Sequence, residues 1–272
     1  MTRPATSAPP SALAFYLPDG EAFVATELTR GPWDAGSQHA GPPCALLGRA
    51  LDRAGRLPRA RLARVTFEIL GPVPIGLVAC SAEVVRPGRS VELVEGALSH
   101  DGVDLIRARA WRIRTAPVAL DEGPPPEDPP PGPELAEVRD FFPLEWDTGY
   151  HSAMEVRFLS GAYTEPGPAR AWMRMRVPLV AGEEPSALDR VLVAADSGNG
   201  VSSPLDHRRY VFINADLSVA LRRLPSGDWV CLDAITYAEP DGVGLSDTAL
   251  LDERGLIGRA TQSLLVRERS GD

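Results

Sequence analysis

Apolar and polar side chains alternate with a period of two along much of this chain, and Gly-Pro, Pro-Gly and Asp-Gly pairs cut the alternation into strand-length runs. The pattern predicts strands at residues 62–70, 77–86, 91–99 and 105–114, others at 153–159 and 169–177, and a first strand at 23–29. Over 169–177 the alternation is strict: Ala171, Met173, Met175 and Val177 share one face, while Arg170, Trp172, Arg174 and Arg176 share the other, which reads as a solvent face. Two stretches break the period. Residues 44–52 follow His39-Ala40-Gly41-Pro42-Pro43, where prolines suit the opening turn of a helix and small residues suit close packing. Residues 187–197 place Leu188, Val191, Leu192 and Ala195 on one stripe at helical spacing, and Ser186 with Asp189 carries a capping-box signature.

These elements occur twice in the same order. Residues 102–111 lie over 254–262 once a gap is allowed, and the strands before them, 91–98 and 245–251, also correspond. Two copies at so long a period make no solenoid, so a duplicated domain is expected. The fold class is α+β, with two antiparallel sheets each wrapped around one helix. Between the copies, residues 123–133 are dominated by proline and suit an extended connection. The expected boundaries are a first domain at 1–117, a linker at 118–134 and a second domain at 135–272.

Composition narrows the function classes. A chain of 272 residues suffices for two small cores. Its net charge of -9 argues against a broad nucleic-acid surface. Cys44, Cys80 and Cys231 are far apart in apolar surroundings and read as small core residues, not as a disulfide or zinc framework. Residues 1–10 are rich in Pro, Ser and Ala without an apolar core of signal-peptide length, and no run approaches a membrane span, so a cytoplasmic protein is expected.

Three polar residues stand where chemistry is plausible. Asp196 falls at the edge of the second helix's apolar stripe, where a carboxylate is costly unless partnered or used. Asn214 lies in the strand-like run 210–218, and Gln262 lies between Thr261 and Ser263 in the last strand. Singly, such an Asp is often a cap, and such a Gln is often the polar half of an alternation. No Gly-x-Ser-x-Gly elbow, P-loop or dinucleotide fingerprint accompanies them, which disfavours a serine hydrolase of the α/β type and nucleotide-driven chemistry.

In order and spacing the chain resembles the acyl-CoA thioesterases of the thioesterase II type (TesB-like), which are double hotdog proteins. The resemblance is carried by residues 39–47, Glu155-Val156-Arg157, the stretch 165–174, the helix 188–196 and Thr261-Gln262-Ser263. It implies a double hotdog fold and hydrolysis of acyl-CoA to a free acid and CoA, without a cofactor. The family orients and activates a water with an Asp on the second helix, a Thr or Ser on the following strand and a Gln on the last strand. These roles fall on Asp196, Asn214 and Gln262, with Asn214 departing from the hydroxyl. Gly41 is a candidate for close backbone approach to substrate, against a plain turn glycine, and His39 for contact with the acyl group or pantetheine, against the commoner cap or surface histidine. Hotdog sheets often pair further, so a homodimer or higher homo-oligomer is expected by fold analogy. Two other readings stay open: a hotdog enoyl-CoA hydratase or dehydratase, disfavoured because no histidine stands near Asp196 in sequence, and a non-catalytic acyl-CoA or acyl-carrier binding protein.

Overall fold

The computed structural model describes residues 13–120, 128–140 and 144–269. The N-terminal stretch 1–10 and part of the proline-rich linker, residues 121–127, lie outside the described residues. In chain order the elements are β1 (Tyr16–Asp19), β2 (Ala22–Ala25), α1 (Gly41–Ala54), β3 (Ala60–Ile69), β4 (Leu77–Arg86), β5 (Val91–His100) and β6 (Val103–Arg114). The second half follows with α2 (Tyr150–Ala153), β7 (Met154–Ala162), β8 (Glu165–Met175), α3 (Ala187–Ala195), α4 (Gly198–Val201), β9 (Tyr210–Asn214), β10 (Asp216–Leu221), β11 (Val230–Ala238), β12 (Val243–Asp252) and β13 (Gly255–Glu268).

All of these strands join one antiparallel sheet in the order β1-β2-β4-β5-β6-β3-β10-β13-β12-β11-β8-β7, with β9 added on β13. The order reads alike from both ends, and the two halves meet where β3 pairs with β10, from Arg64↔Ala220 to Glu68↔Asp216. At the middle of this seam the hydroxyls of Thr66 and Ser218, 152 residues apart, lie 3.0 Å from each other. The same offset relates the rest of the ladder: the β5–β6 register slips at Leu98/Ser99, and the β12–β13 register slips at Leu250/Leu251. This bulge is duplicated with the strands that carry it.

Each half wraps a helix for a simple reason. The inward faces of β3 to β6 carry Val65, Phe67, Val94, Leu98 and Ile106, and α1 meets them with Leu46, Leu47 and Leu51, all fully buried. Burying each such side chain contributes roughly 1.5–3 kcal/mol. In the second half α3 offers Val191 and Leu192 to β8, β11 and β12. Its start is fixed by the expected capping box, with Asp189 N donating to Ser186 Oγ (3.1 Å) and Ser186 N donating to Asp189 Oδ2 (2.8 Å). The two helices also pack on each other, because Gly48 leaves room for Leu192 and Gly41 leaves room for the Val193 carbonyl.

Three expectations change. The strand expected at 23–29 ends at Ala25, since Thr26 Oγ1 accepts from Leu28 N and closes a 3-10 turn at Glu27–Thr29. Its hairpin partner β1 precedes it across the turn at Gly20, whose φ of 61° suits glycine. The outer face of β8 is only partly open to solvent: its arginines stay partly exposed, Arg170 pairing with Asp233 and Arg174 with Glu155, but Trp172 is fully buried, its Nε1 donating to Pro131 O (2.8 Å) in the linker. The run 210–218 breaks at Ala215 into β9 and β10, so that only β10 reaches the seam.

A Cβ at Gly258 on β13 would collide with the Ala220 carbonyl oxygen of β10, a backbone atom that cannot rotate away. Gly258→Ala should therefore cost about 1–3 kcal/mol, the usual range for overpacking. A thermal melt should show Tm lowered by roughly 2–4 °C per kcal/mol. An unchanged Tm would mean that the β10–β13 contact is looser than described.

Candidate active site

The site is built where α3 runs out. Asp196 is the C-terminal cap of α3, still near helical backbone angles, and only 4% exposed. So buried a carboxylate needs donors, and they arrive from distant parts of the chain. Asn214, at the end of β9, donates from Nδ2 to Asp196 Oδ1 at 2.9 Å. Gln262, on the inward face of β13, donates from Nε2 to the same Oδ1 at 3.2 Å and to the Asp196 carbonyl at 3.1 Å. The Gln262 carboxamide is fixed from its other end as well, since Oε1 accepts from Asn199 N at 3.1 Å. The sequence candidates Asp196, Asn214 and Gln262 thus share one hydrogen-bonded cluster.

His39 joins them from the first half, with Nδ1 3.1 Å from Asp196 Oδ2. Asp196 therefore does have a neighbouring histidine, which corrects the reading based on chain proximity. The same Nδ1 also lies 3.1 Å from Gly41 N. One in-plane position on a ring nitrogen serves only one of these contacts at a time. The Gly41 N–H donates to this Nδ1, which ties the first turn of α1 to the ring that faces Asp196. Burial pushes the His39 pKa down, and the Asp196 charge opposes that shift only in part, so the ring is neutral at neutral pH.

Gly41 opens α1, and its neighbours Pro42 and Pro43 have no N–H, while Cys44 N donates to Ala40 O. The Gly41 amide, the remaining donor of that first turn, is spent on His39 Nδ1. The close approach that requires glycine here is to the Val193 carbonyl of α3. Gly41 therefore locks the helices together beside the cluster, a role that spacing alone does not reveal.

Tyr150 on α2 was not legible as a site residue. Its ring stacks on His39 with centroids 3.8 Å apart and planes 8° from parallel. Its hydroxyl donates to Val193 O and meets Ser197 Oγ, both at 2.9 Å, and burial drives its pKa well up. It ties the loop carrying His39 to the end of α3. Clefts of about 380 Å³, beside Tyr163, Ser203 and Arg208, and about 280 Å³, beside Arg176, Glu183 and Arg190, include none of the four clustered residues.

The duplicate half carries no such cluster. At the positions 152 residues earlier than Asn214 and Gln262 stand Leu62 and Ala110, both buried, as the shared register requires.

A buried polar cluster at the end of one helix, between two duplicated sheet halves, defines a class, and sequence comparison gives it a family. The chain matches the acyl-CoA thioesterase N-terminal domain over residues 29–113 and the acyl-CoA thioesterase C-terminal domain over residues 121–266. It belongs to the acyl-CoA thioesterase family, and it is a thioester hydrolase. Among solved structures, it is similar to a candidate thioesterase II from Thermobifida fusca YX, with 17% identity, 92% of this chain and 93% of that chain covered, and a TM-score of 0.72. An acyl-CoA thioesterase II, TesB2, from Mycobacterium marinum has 16% identity, coverage of 93% and 96%, and a TM-score of 0.66. A protein with a hot dog fold from Alicyclobacillus acidocaldarius has 17% identity, coverage of 96% and 97%, and a TM-score of 0.69. At these identities the structures establish a shared fold alone. A search of curated protein sequences found no match.

The lowered pKa of His39 has a pH consequence. Neutral burial of the ring contributes stability that is fully present above its ordinary pKa of 6.5 and is lost as pH falls through the lower folded value. Wild-type Tm should accordingly fall more steeply from pH 7 to pH 5 than that of His39→Gln. Parallel curves would show that His39 does not titrate in this environment.

Proposed function

We propose that the chain is a double hotdog enzyme, with domains at 1–117 and 135–272 joined by the linker 118–134, that hydrolyses acyl-CoA through a water activated by Asp196. The observation that carries the reading is the convergence on one buried carboxylate of His39 from one half and Asn214 and Gln262 from the other. The water's attack on the thioester carbonyl forms a C–O bond while its proton passes to Asp196 as general base. The tetrahedral intermediate then expels the CoA thiolate, which takes the proton back from Asp196 to leave as the free thiol beside the carboxylic acid. Gln262 and Asn214 hold the carboxylate in line with the water, an orienting effect able to remove several kcal/mol from the barrier. The positive N-terminal end of α1 suits the developing oxyanion.

Asn214 stands where the family has Thr or Ser. A hydroxyl there would donate one hydrogen bond to Asp196, and the Asn amide donates the same bond at 2.9 Å. What Asn lacks is a proton to relay, so this reading needs position 214 only as a donor. The substrate class is an acyl thioester of CoA, and a homo-oligomer is in keeping with the fold.

Thiol release from a panel of acyl-CoAs tests the reading. Wild type should turn over at least one acyl-CoA, and Asp196→Asn should lower kcat by about two to four orders of magnitude at nearly unchanged Tm. Binding without thiol release would favour the carrier reading, and hydration of an enoyl-CoA without thiol release would favour the hydratase reading.

A separate comparison isolates position 214. Asn214→Thr should keep kcat within about tenfold of wild type, whereas Asn214→Leu, which copies the first half's Leu62, should lose roughly a hundredfold or more. Equal activity in both variants would remove Asn214 from the site.

A further inference from the structure

The inward face of the second half carries a row of polar side chains that the fold itself does not demand. Thr236 on β11 pairs directly with Ser246 on β12, and Ser246 pairs directly with Gln262 on β13. All three are buried, at 7%, 0% and 1% exposure. In the first half, 152 residues earlier, the matching row is Val84, Val94 and Ala110, joined by the same pairings. The same sheet position is thus apolar where there is no carboxylate cluster and polar where there is one.

Thr236 is accounted for locally, since its Oγ1 lies 2.8 Å from Ser202 Oγ, which donates to Gly198 O and steadies the turn after Asp196. Ser246 is not. Its hydroxyl is fully buried and has no hydrogen-bond partner within the protein. An unsatisfied buried hydroxyl is destabilising, and the first half shows the apolar solution at this position in Val94. Around the position a Cβ on Gly198 would take gather three side-chain oxygens, Thr248 Oγ1 at 2.4 Å, Ser246 Oγ at 3.2 Å and Gln262 Oε1 at 3.3 Å. A carboxamide oxygen has two lone pairs, and Asn199 N–H fills one of those on Gln262.

We infer that Ser246 is a positioning residue: its hydroxyl donates to the second lone pair of Gln262 Oε1 during turnover and so holds the carboxamide with Nε2 toward Asp196. Reversal of that amide would turn an oxygen toward the carboxylate and replace a hydrogen bond by repulsion. Gly198 spares this group of oxygens a collision, because a Cβ there would lie 2.4 Å from Thr248 Oγ1. The inference rests on the proposed Asp196-activated hydrolysis for its kinetic consequence, but the orientation of Gln262 does not depend on that chemistry.

Ser246→Ala tests it on both counts. As a packing residue alone, removal of the orphan hydroxyl leaves kcat unchanged and raises Tm or leaves it unchanged. As a positioning residue, it lowers kcat about tenfold at constant KM, with Tm no lower than wild type. In the Gln262→Ala background, Ser246→Ala should then add nothing, because it acts through a side chain already removed. Independently of turnover, the side-chain amide protons of Gln262, followed by NMR, should exchange with solvent about tenfold faster in Ser246→Ala than in wild type. Unchanged exchange overturns the inference even in a fully active enzyme, and additive losses in the double variant overturn it too. A wild-type protein that releases no thiol would sink the hydrolase mechanism, while the exchange measurement would still decide the role of Ser246.

Discussion

The structure turns on one buried carboxylate. Asp196 is nearly out of solvent, and removing the partner of a buried charge costs about 3–5 kcal/mol, so its donors are required by the fold as much as by the chemistry. Its partners come from β9, β13 and the loop before α1. Asn214 and Gln262 need α3 to end where it does, and His39 arrives only when the β3–β10 seam has formed and α1 packs on α3 at Gly41 and Gly48. The architecture is therefore specified twice, once by apolar burial and once by the demand of a single charge.

Much of the fold was legible, because a period of two with turn residues at its ends is a strong local signal. The helix at Ala187–Ala195 followed from a stripe and a capping box, and the duplication followed from the matching hairpins at 91–111 and 245–262. What failed was also local. Thr26 spent its side chain on a turn, so a run that reads as strand to Thr29 stops at Ala25. The outward face of β8 looked solvated because the arginines dominate it, and only the docked linker explains why Trp172 is buried there.

The candidate site divides along the same line. Asp196, Asn214 and Gln262 could be found because a resemblance pointed to the Asp and Gln positions and the strand between them. Tyr150 could not, since a lone tyrosine after Gly149 carries no pattern, and its role exists only through a ring stacked on His39. The His39–Asp196 contact was hidden for a related reason: the sequence measures separation along the chain, whereas the seam and the crossed helices bring the halves together in space.

The seam also shapes the order in which the protein can be made safe. While a ribosome is still producing the second half, β3 is the open edge of a finished first sheet, and such an edge is a template for pairing with another chain. It stays exposed until residues 216–221 have emerged to form β10. Arg61, Arg64 and Glu68 stand along β3, and charges on an edge strand discourage intermolecular pairing. Read this way, the charged residues beside the future seam guard a nascent chain, and only later become neighbours of its second half.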